Sequence, residues 1–192
     1  MRLFVAVDLT DDARRAIAVE QERVAAALER SVRQTLKWVR VDHMHLTLEF
    51  LGEVEDRRVA GLVERFGESI ERPPFTVVYG GLGMFPPFGA PRVLWLGLRA
   101  GVQETVELQR AVVGRLHEAG MATEGREFHP HLTLARWRSS RPDDRRAVLS
   151  QDRAAEVASV DVTHVTLYRS QLSPQGPSYT ALARARLSVS AA

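Results

Sequence analysis

Apolar and polar positions repeat along this chain with two periods, and the switches between them lay out the elements. Leu3 to Leu9 is a near-continuous apolar run that reads as a buried strand, closed by Thr10-Asp11-Asp12, which offers a helix N-cap and acidic first-turn residues. Ala13, Ile17, Val24 and Leu28 then recur at helical spacing, with Arg14, Arg15, Glu22 and Arg23 on the wet face. A short extended piece covers Lys37 to Val41. From His45 to Leu51 the period becomes two. That places His45, Thr47 and Glu49 on one face and Leu46, Leu48 and Phe50 on the other, which is assigned to the core. Val59, Leu62, Val63, Phe66 and Ile70 mark an amphipathic helix after an Asp56 cap, ended by Pro73-Pro74. Phe75 to Leu82 is extended again, before a glycine- and proline-rich loop that embeds Met84, Phe85 and Phe88.

The second stretch repeats that order. Arg92 to Leu98 reads as a strand, and Val102, Val106, Val113 and Leu116 mark a helix ending at Gly120. A strand follows from His131 to Trp137, then a short helix from Pro142 to Leu149. Val160 to Ser170 and Tyr179 to Val189 read as strands joined by the turn Ser173-Pro174-Gln175-Gly176-Pro177. Each half therefore runs strand, helix, strand, helix, strand. The central strand carries the same words both times, His43-Met44-His45-Leu46-Thr47-Leu48 and His129-Pro130-His131-Leu132-Thr133-Leu134, which hold four of the six histidines. The expectation is a single α+β domain over 1–192 with an internal duplication, halves roughly 1–90 and 91–192. Its two pseudo-symmetric lobes each have an antiparallel sheet and helices, with a cleft between the signature strands.

Composition narrows this reading without redirecting it. With 45% hydrophobic and 26% charged residues in 192, the chain has the make-up of an ordinary globular protein. The pI of 9.5 beside a net charge of only +2 reflects arginine chemistry, since Lys37 is the only lysine. That permits anionic partners but lacks the long basic runs of a nucleic-acid-coating protein. No cysteine is present, so disulfides, thiolate nucleophiles and cysteine-bound zinc are excluded. The first residues are too short an apolar run for a secretory signal, and no run approaches a membrane span; the chain is expected in the cytoplasm, off the membrane, as a monomer.

The chemistry lies in the repeat. Histidine and the threonine two places later share a strand face, so imidazole and hydroxyl reach the same ligand. Two such pairs face to face supply two proton-transfer groups near neutral pH and two neutral donors for an anion held between them. One histidine deprotonates an attacking oxygen while the other protonates the leaving oxygen from the opposite side of phosphorus. Without a metal or cofactor this suits an activated ester such as a cyclic phosphate. The residues leave open which histidine is the acid.

His45-Leu46-Thr47-Leu48 and His131-Leu132-Thr133-Leu134 resemble the paired His-x-Thr-x motifs of the two-histidine phosphoesterases. With Lys37-Trp38-Val39-Arg40, Leu48-Glu49-Phe50-Leu51-Gly52-Glu53-Val54, Val93-Leu94-Trp95-Leu96-Gly97 and Leu134-Ala135-Arg136, residues 1 to 189 resemble the RNA 2′,3′-cyclic phosphodiesterases, also called 2′-5′ RNA ligases. The resemblance implies a bilobal fold and metal-independent opening of a terminal 2′,3′-cyclic phosphate on RNA or an oligonucleotide to a 2′-phosphate. A reversible 2′-5′ joining activity is found in some members. It also implies His45 as proton donor, His131 as proton acceptor, and Thr47 and Thr133 as phosphate holders.

Two rival readings stand beside it. His43, His45, His129 and His131 form two His-x-His pairs that would suit a metal-dependent hydrolase, and a non-catalytic RNA-binding module would use the same histidines to hold phosphate. Arg136 is a candidate substrate contact, yet strict strand parity places it with Leu132 and Leu134, so a twist or bulge is needed to aim it at the site. Trp38, Phe50, Phe85 and Phe88 are candidates for stacking on bases, with core packing the expected role of Phe50 and loop packing that of the others. His117 is expected to be dipole-paired at a helix C-terminus and His164 to be a packing residue.

Overall fold

Every residue of the first strand after Arg2 is buried, and this strand, Arg2–Val7 (β1), is paired along both edges. A computed structural model describes residues 1–123, 125, 127–153, 155–174 and 176–189, with the backbone alone at 31 and 34. After β1, the Thr10 hydroxyl accepts the Ala13 N–H at 3.2 Å and caps α1 (Asp11–Ala27), whose first turn carries Asp11 and Asp12 against the helix dipole. Then come α2 (Arg30–Thr35), β2 (Leu36–Trp38), a 3-10 turn (Val41–His43), β3 (Leu46–Glu53), α3 (Asp56–Phe66), β4 (Ile70–Glu71) and β5 (Phe75–Phe85). The second half contributes β6 (Val93–Ala100), α4 (Val102–Glu118), β7 (Leu132–Trp137), α5 (Pro142–Leu149), β8 (Glu156–Val162), β9 (His164–Ser173) and β10 (Gly176–Ser188).

The strands join in the order β4, β10, β9, β1, β3, β7, β6, β5, β8, with β2 added to β7. The seam is between β3 and β7, which share a single antiparallel residue pair, Leu46 with Leu132. Strands on either side of that seam form two antiparallel lobes, apart from the parallel edge contact of β4 with β10. Each lobe draws on both halves of the sequence. β5 follows α3 but pairs with β6, and β9 follows α5 but pairs with β1, so the halves exchange strands across the seam.

The signature leucines anchor the seam from beneath. Leu46, Leu132 and Leu134 are fully buried and Leu48 nearly so, in one cluster with Ile17, Leu108, Val112 and Leu116 from α1 and α4. Burial of each such side chain contributes about 2 kcal/mol, which fixes the outward direction of the histidines and threonines between them.

Several boundaries depart from the periodicity. α2 and β4 were not expected, because six and two residues are too few to show a period. Ile70, which continues the apolar stripe of α3, belongs to β4, because that helix stops at Gly67. Extended structure in β5 runs on to Phe85. The strand expected from Val160 to Ser170 is two strands, β8 and β9, which lie in different lobes. In the turn at 173–177, residue 175 lies outside the described residues. Among the described residues no helix is long and apolar enough to cross a membrane.

Candidate active site

A break in strand alternation at the end of the motif in each signature strand shapes the cleft, and β3 has a second at Leu51. Along β3, Ala6 pairs with Thr47 and Val5 with Glu49, so Leu48 is an extra residue. Along β7, Trp95 pairs with Thr133 and Leu94 with Ala135, so Leu134 is the corresponding extra residue. A bulge of this kind reverses the facing of the residues that follow it. Glu49 therefore turns inward, where the Gln109 amide donates to its carboxylate at 3.1 Å, and Phe50 comes out into the cleft. This corrects the assignment of Phe50 to the core: it is 42% exposed and lines the site. The same device resolves the parity objection to Arg136. Ala135 is buried in its place and Arg136 faces the cleft with His131 and Thr133. The second bulge is held by its own carbonyl, since Leu134 O accepts the Val39 N–H at 2.8 Å and the Gln21 amide at 2.9 Å.

All five sequence-expected site residues line one cavity of about 550 Å³. Counting outward from the Leu46–Leu132 pair, the antiparallel run brings His45 opposite Thr133 and Thr47 opposite His131. The two imidazoles thus occupy diagonal corners with a hydroxyl beside each. Neither threonine hydroxyl is committed to another group among the described residues.

His131 Nδ1 lies 2.7 Å from the His129 carbonyl. A carbonyl only accepts, so His131 Nδ1 carries a hydrogen and Nε2 is left to exchange a proton. The His43 backbone likewise favours the protonated form of His45. The His43 ring packs edge-on against Tyr179 at the cavity wall, and His129 lies 3.6 Å from Glu127. Among the described residues no three His, Cys, Asp or Glu side chains converge with metal-binding geometry, so the four-histidine centre is not assembled.

Both histidines sit among aromatic rings. Phe4 stacks on His45 at 4.8 Å with Tyr179 edge-on at 5.3 Å, and Phe85 meets His131 edge-on at 4.9 Å with Trp95 at 6.2 Å. Trp95 reaches this position because position 83 is glycine: a Cβ there would lie 2.0 Å from the indole. Burial lowers the proton affinity of both imidazoles, that of His45 to about 4. The smaller influences differ between them. Asp8 favours the protonated form of His45, whereas Arg136 disfavours that of His131.

Asp8 is a charged group near His45 that sequence reading did not single out. It accepts from Tyr168 Oη at 2.5 Å and Thr166 Oγ1 at 2.7 Å, and lies 3.4 Å from His164 Nε2. His164 is therefore a polar neighbour of Asp8 as well as a strand residue. The only sequence signal was an aspartate breaking the end of an apolar strand. The aromatic cage left no signal, since Tyr168 and Tyr179 come from strands beyond the repeat. His117 approaches Thr123 Oγ1 at 2.9 Å in the last turn of α4. Arg2, Lys37, Arg40 and Arg136 contribute cations to the cavity wall, which contains no carboxylate among the described residues. The arrangement suits an anion flanked by two imidazoles, with an apolar aromatic flank beside it.

The chain is similar to known proteins in sequence and in fold. The family model of the 2′-5′ RNA ligase superfamily matches residues 12–174. The RNA 2′,3′-cyclic phosphodiesterase of Archaeoglobus fulgidus is 34% identical over 93% of this chain and 96% of its own length. That of Aeropyrum pernix is 37% identical over 77% and 84%. Among solved structures, Escherichia coli LigT in apo form superposes with a TM-score of 0.73 at 30% identity, covering 97% of this chain and 96% of that one. LigT complexed with 3′-AMP gives 0.72 at 30% identity, covering 97% of each.

Proposed function

The chain belongs to the 2′-5′ RNA ligase superfamily, and from that premise we propose that it hydrolyses 2′,3′-cyclic phosphate ends of RNA to 2′-phosphomonoesters. The observation that carries this reading is that two His-x-Thr pairs, on either side of the Leu46–Leu132 contact, line one cavity walled by cations. The cyclic phosphate is held by the Thr47 and Thr133 hydroxyls with Arg136 beside them. His131 takes a proton from water as the new P–O bond forms, and His45 gives its proton to the 3′-oxygen as the P–O3′ bond breaks. The products are a 2′-phosphate and a free 3′-hydroxyl, and the two histidines have exchanged protonation states. A 5′-hydroxyl in the place of water yields a 2′-5′ linkage instead. A well-placed acid or base contributes about 10² to 10⁴ in rate.

The assignment of donor and acceptor follows the resemblance. Asp8 favours a proton on His45 while Arg14 and His43 oppose it, and Arg136 disfavours one on His131. Burial works against the donor role in the empty site by holding His45 neutral; the incoming phosphate anion supplies the charge that draws the proton on. One chain provides both pairs, so a monomer suffices, and the cysteine-free sequence and an RNA substrate fit a cytoplasmic setting. The test is product analysis with an oligonucleotide ending in a 2′,3′-cyclic phosphate, in chelator. The 2′-phosphate is expected as the sole hydrolysis product. A 3′-phosphate product, or activity abolished by chelator and restored by metal, would overturn the reading.

A further inference from the structure

A second cavity, of about 590 Å³, opens at the far end of β7, lined by Phe88, Arg92, Trp137, Arg138 and Ser139 among others. Phe88 is 84% exposed, more than any other large hydrophobic side chain described. Its loop is nevertheless braced. Arg145 of α5 donates to Pro86 O at 2.5 Å and to Gly89 O at 3.3 Å, and Arg92 N donates to Phe85 O at 2.7 Å. Arg92 and Arg138 are both exposed, and among the described residues neither guanidinium has a carboxylate partner. Among the described residues no acidic side chain lines this cavity.

This cavity is continuous in sequence and strand pairing with the first. Arg136, in the wall of the histidine cleft, is followed directly by Trp137 and Arg138 in the wall of the second cavity. Across the ladder Arg136 pairs with Val93, next to Arg92, whose carbonyl accepts the Trp137 N–H at 2.9 Å. From Thr133 to Trp137 along β7 is about 13 Å, so a single nucleotide held at the histidines leaves the second cavity free. An exposed aromatic face beside unpaired arginines is the combination that holds single-stranded nucleic acid, stacking a base and neutralising a phosphate without reading sequence.

We propose that this second cavity binds a nucleotide of the RNA strand beyond the terminal one, with its base against Phe88 and its phosphate between Arg92 and Arg138. The proposal rests on the RNA-end reading above and assigns to this chain a preference for oligonucleotides over cyclic mononucleotides. The test compares a 2′,3′-cyclic mononucleotide with a trinucleotide ending in a 2′,3′-cyclic phosphate, for wild type and for the double variant Phe88→Ala, Arg138→Ala. Both side chains are exposed, so the fold tolerates their loss. The variant is expected to lose about tenfold or more in kcat/KM on the trinucleotide, through KM, and to keep mononucleotide turnover within twofold. Its trinucleotide binding should also have a salt slope smaller by about one. Equal effects on both substrates, or none on either, would overturn the proposal. Equilibrium binding of a fluorescent 2′-phosphorylated trinucleotide gives a readout without turnover. If wild type hydrolyses neither substrate, the functional reading fails, while a binding difference between wild type and variant still supports the cavity and its absence overturns it.

Discussion

The most exacting consequence of the site concerns the proton on His45. Its imidazole lies between Phe4 and Tyr179, and burial lowers its pKa from 6.5 to about 4. That shift corresponds to roughly 3 kcal/mol, so at pH 7 about one empty molecule in a thousand carries the proton. The unfolded chain takes up this proton near 6.5 and the native chain only near 4. Native stability therefore falls as pH drops through that window, and the loss is complete below it. Two assays follow. NMR titration of the His45 ring should give a midpoint near 4 in the free protein, moving up by two units or more when a 2′-phosphorylated nucleotide fills the cleft. Urea unfolding at pH 7.5 and pH 4 should show wild type losing roughly 3 kcal/mol more than His45→Gln, which cannot titrate. A free-protein midpoint near 6.5, unmoved by the nucleotide, would refute the claim that burial governs this group.

Two further substitutions probe what surrounds the motifs. Asp8→Asn keeps an oxygen for Tyr168 or Thr166 but removes the negative charge that favours protonated His45; kcat should fall several-fold to tenfold with KM little changed, and the His45 midpoint should move lower still. Gln21→Leu removes a donor from the carbonyls of Val39 and Leu134, which costs about 1 to 3 kcal/mol in unfolding free energy. It should also raise KM by loosening the bulge that aims Arg136, whereas an unchanged KM would show that the bulge holds without it.

Which features were legible in the sequence follows from what leaves a local mark. The repeated His-Leu-Thr-Leu is legible because strand alternation with buried leucines leaves histidine and threonine only one direction to face, and both copies obey it. Alternation then fails two residues later in both copies. Whether a strand is bulged depends on its neighbour, and neither Leu48 nor Leu134 differs in type from an ordinary alternating leucine. Phe50 was consequently placed in the core, and Arg136 needed a bulge that its own sequence did not announce. Asp8 and the aromatic cage escaped for a different reason. Their partners, Thr166, Tyr168 and Tyr179, are brought beside β1 only by the strand exchange between the halves, a contact across some 160 residues of chain. The His43 and His129 side chains show the reverse case: a conspicuous His-x-His pattern whose first member acts through its backbone.

The account stands on two His-x-Thr pairs acting as one site. Its most direct test is the rate of cyclic-phosphate hydrolysis by His45→Ala, His131→Ala and the double variant. Each single change should cost about 10² to 10⁴-fold in kcat, and the double variant should be little worse than either, because groups that act as a unit fail together. Near-wild-type turnover in either single variant, or losses that simply multiply in the double variant, would contradict it.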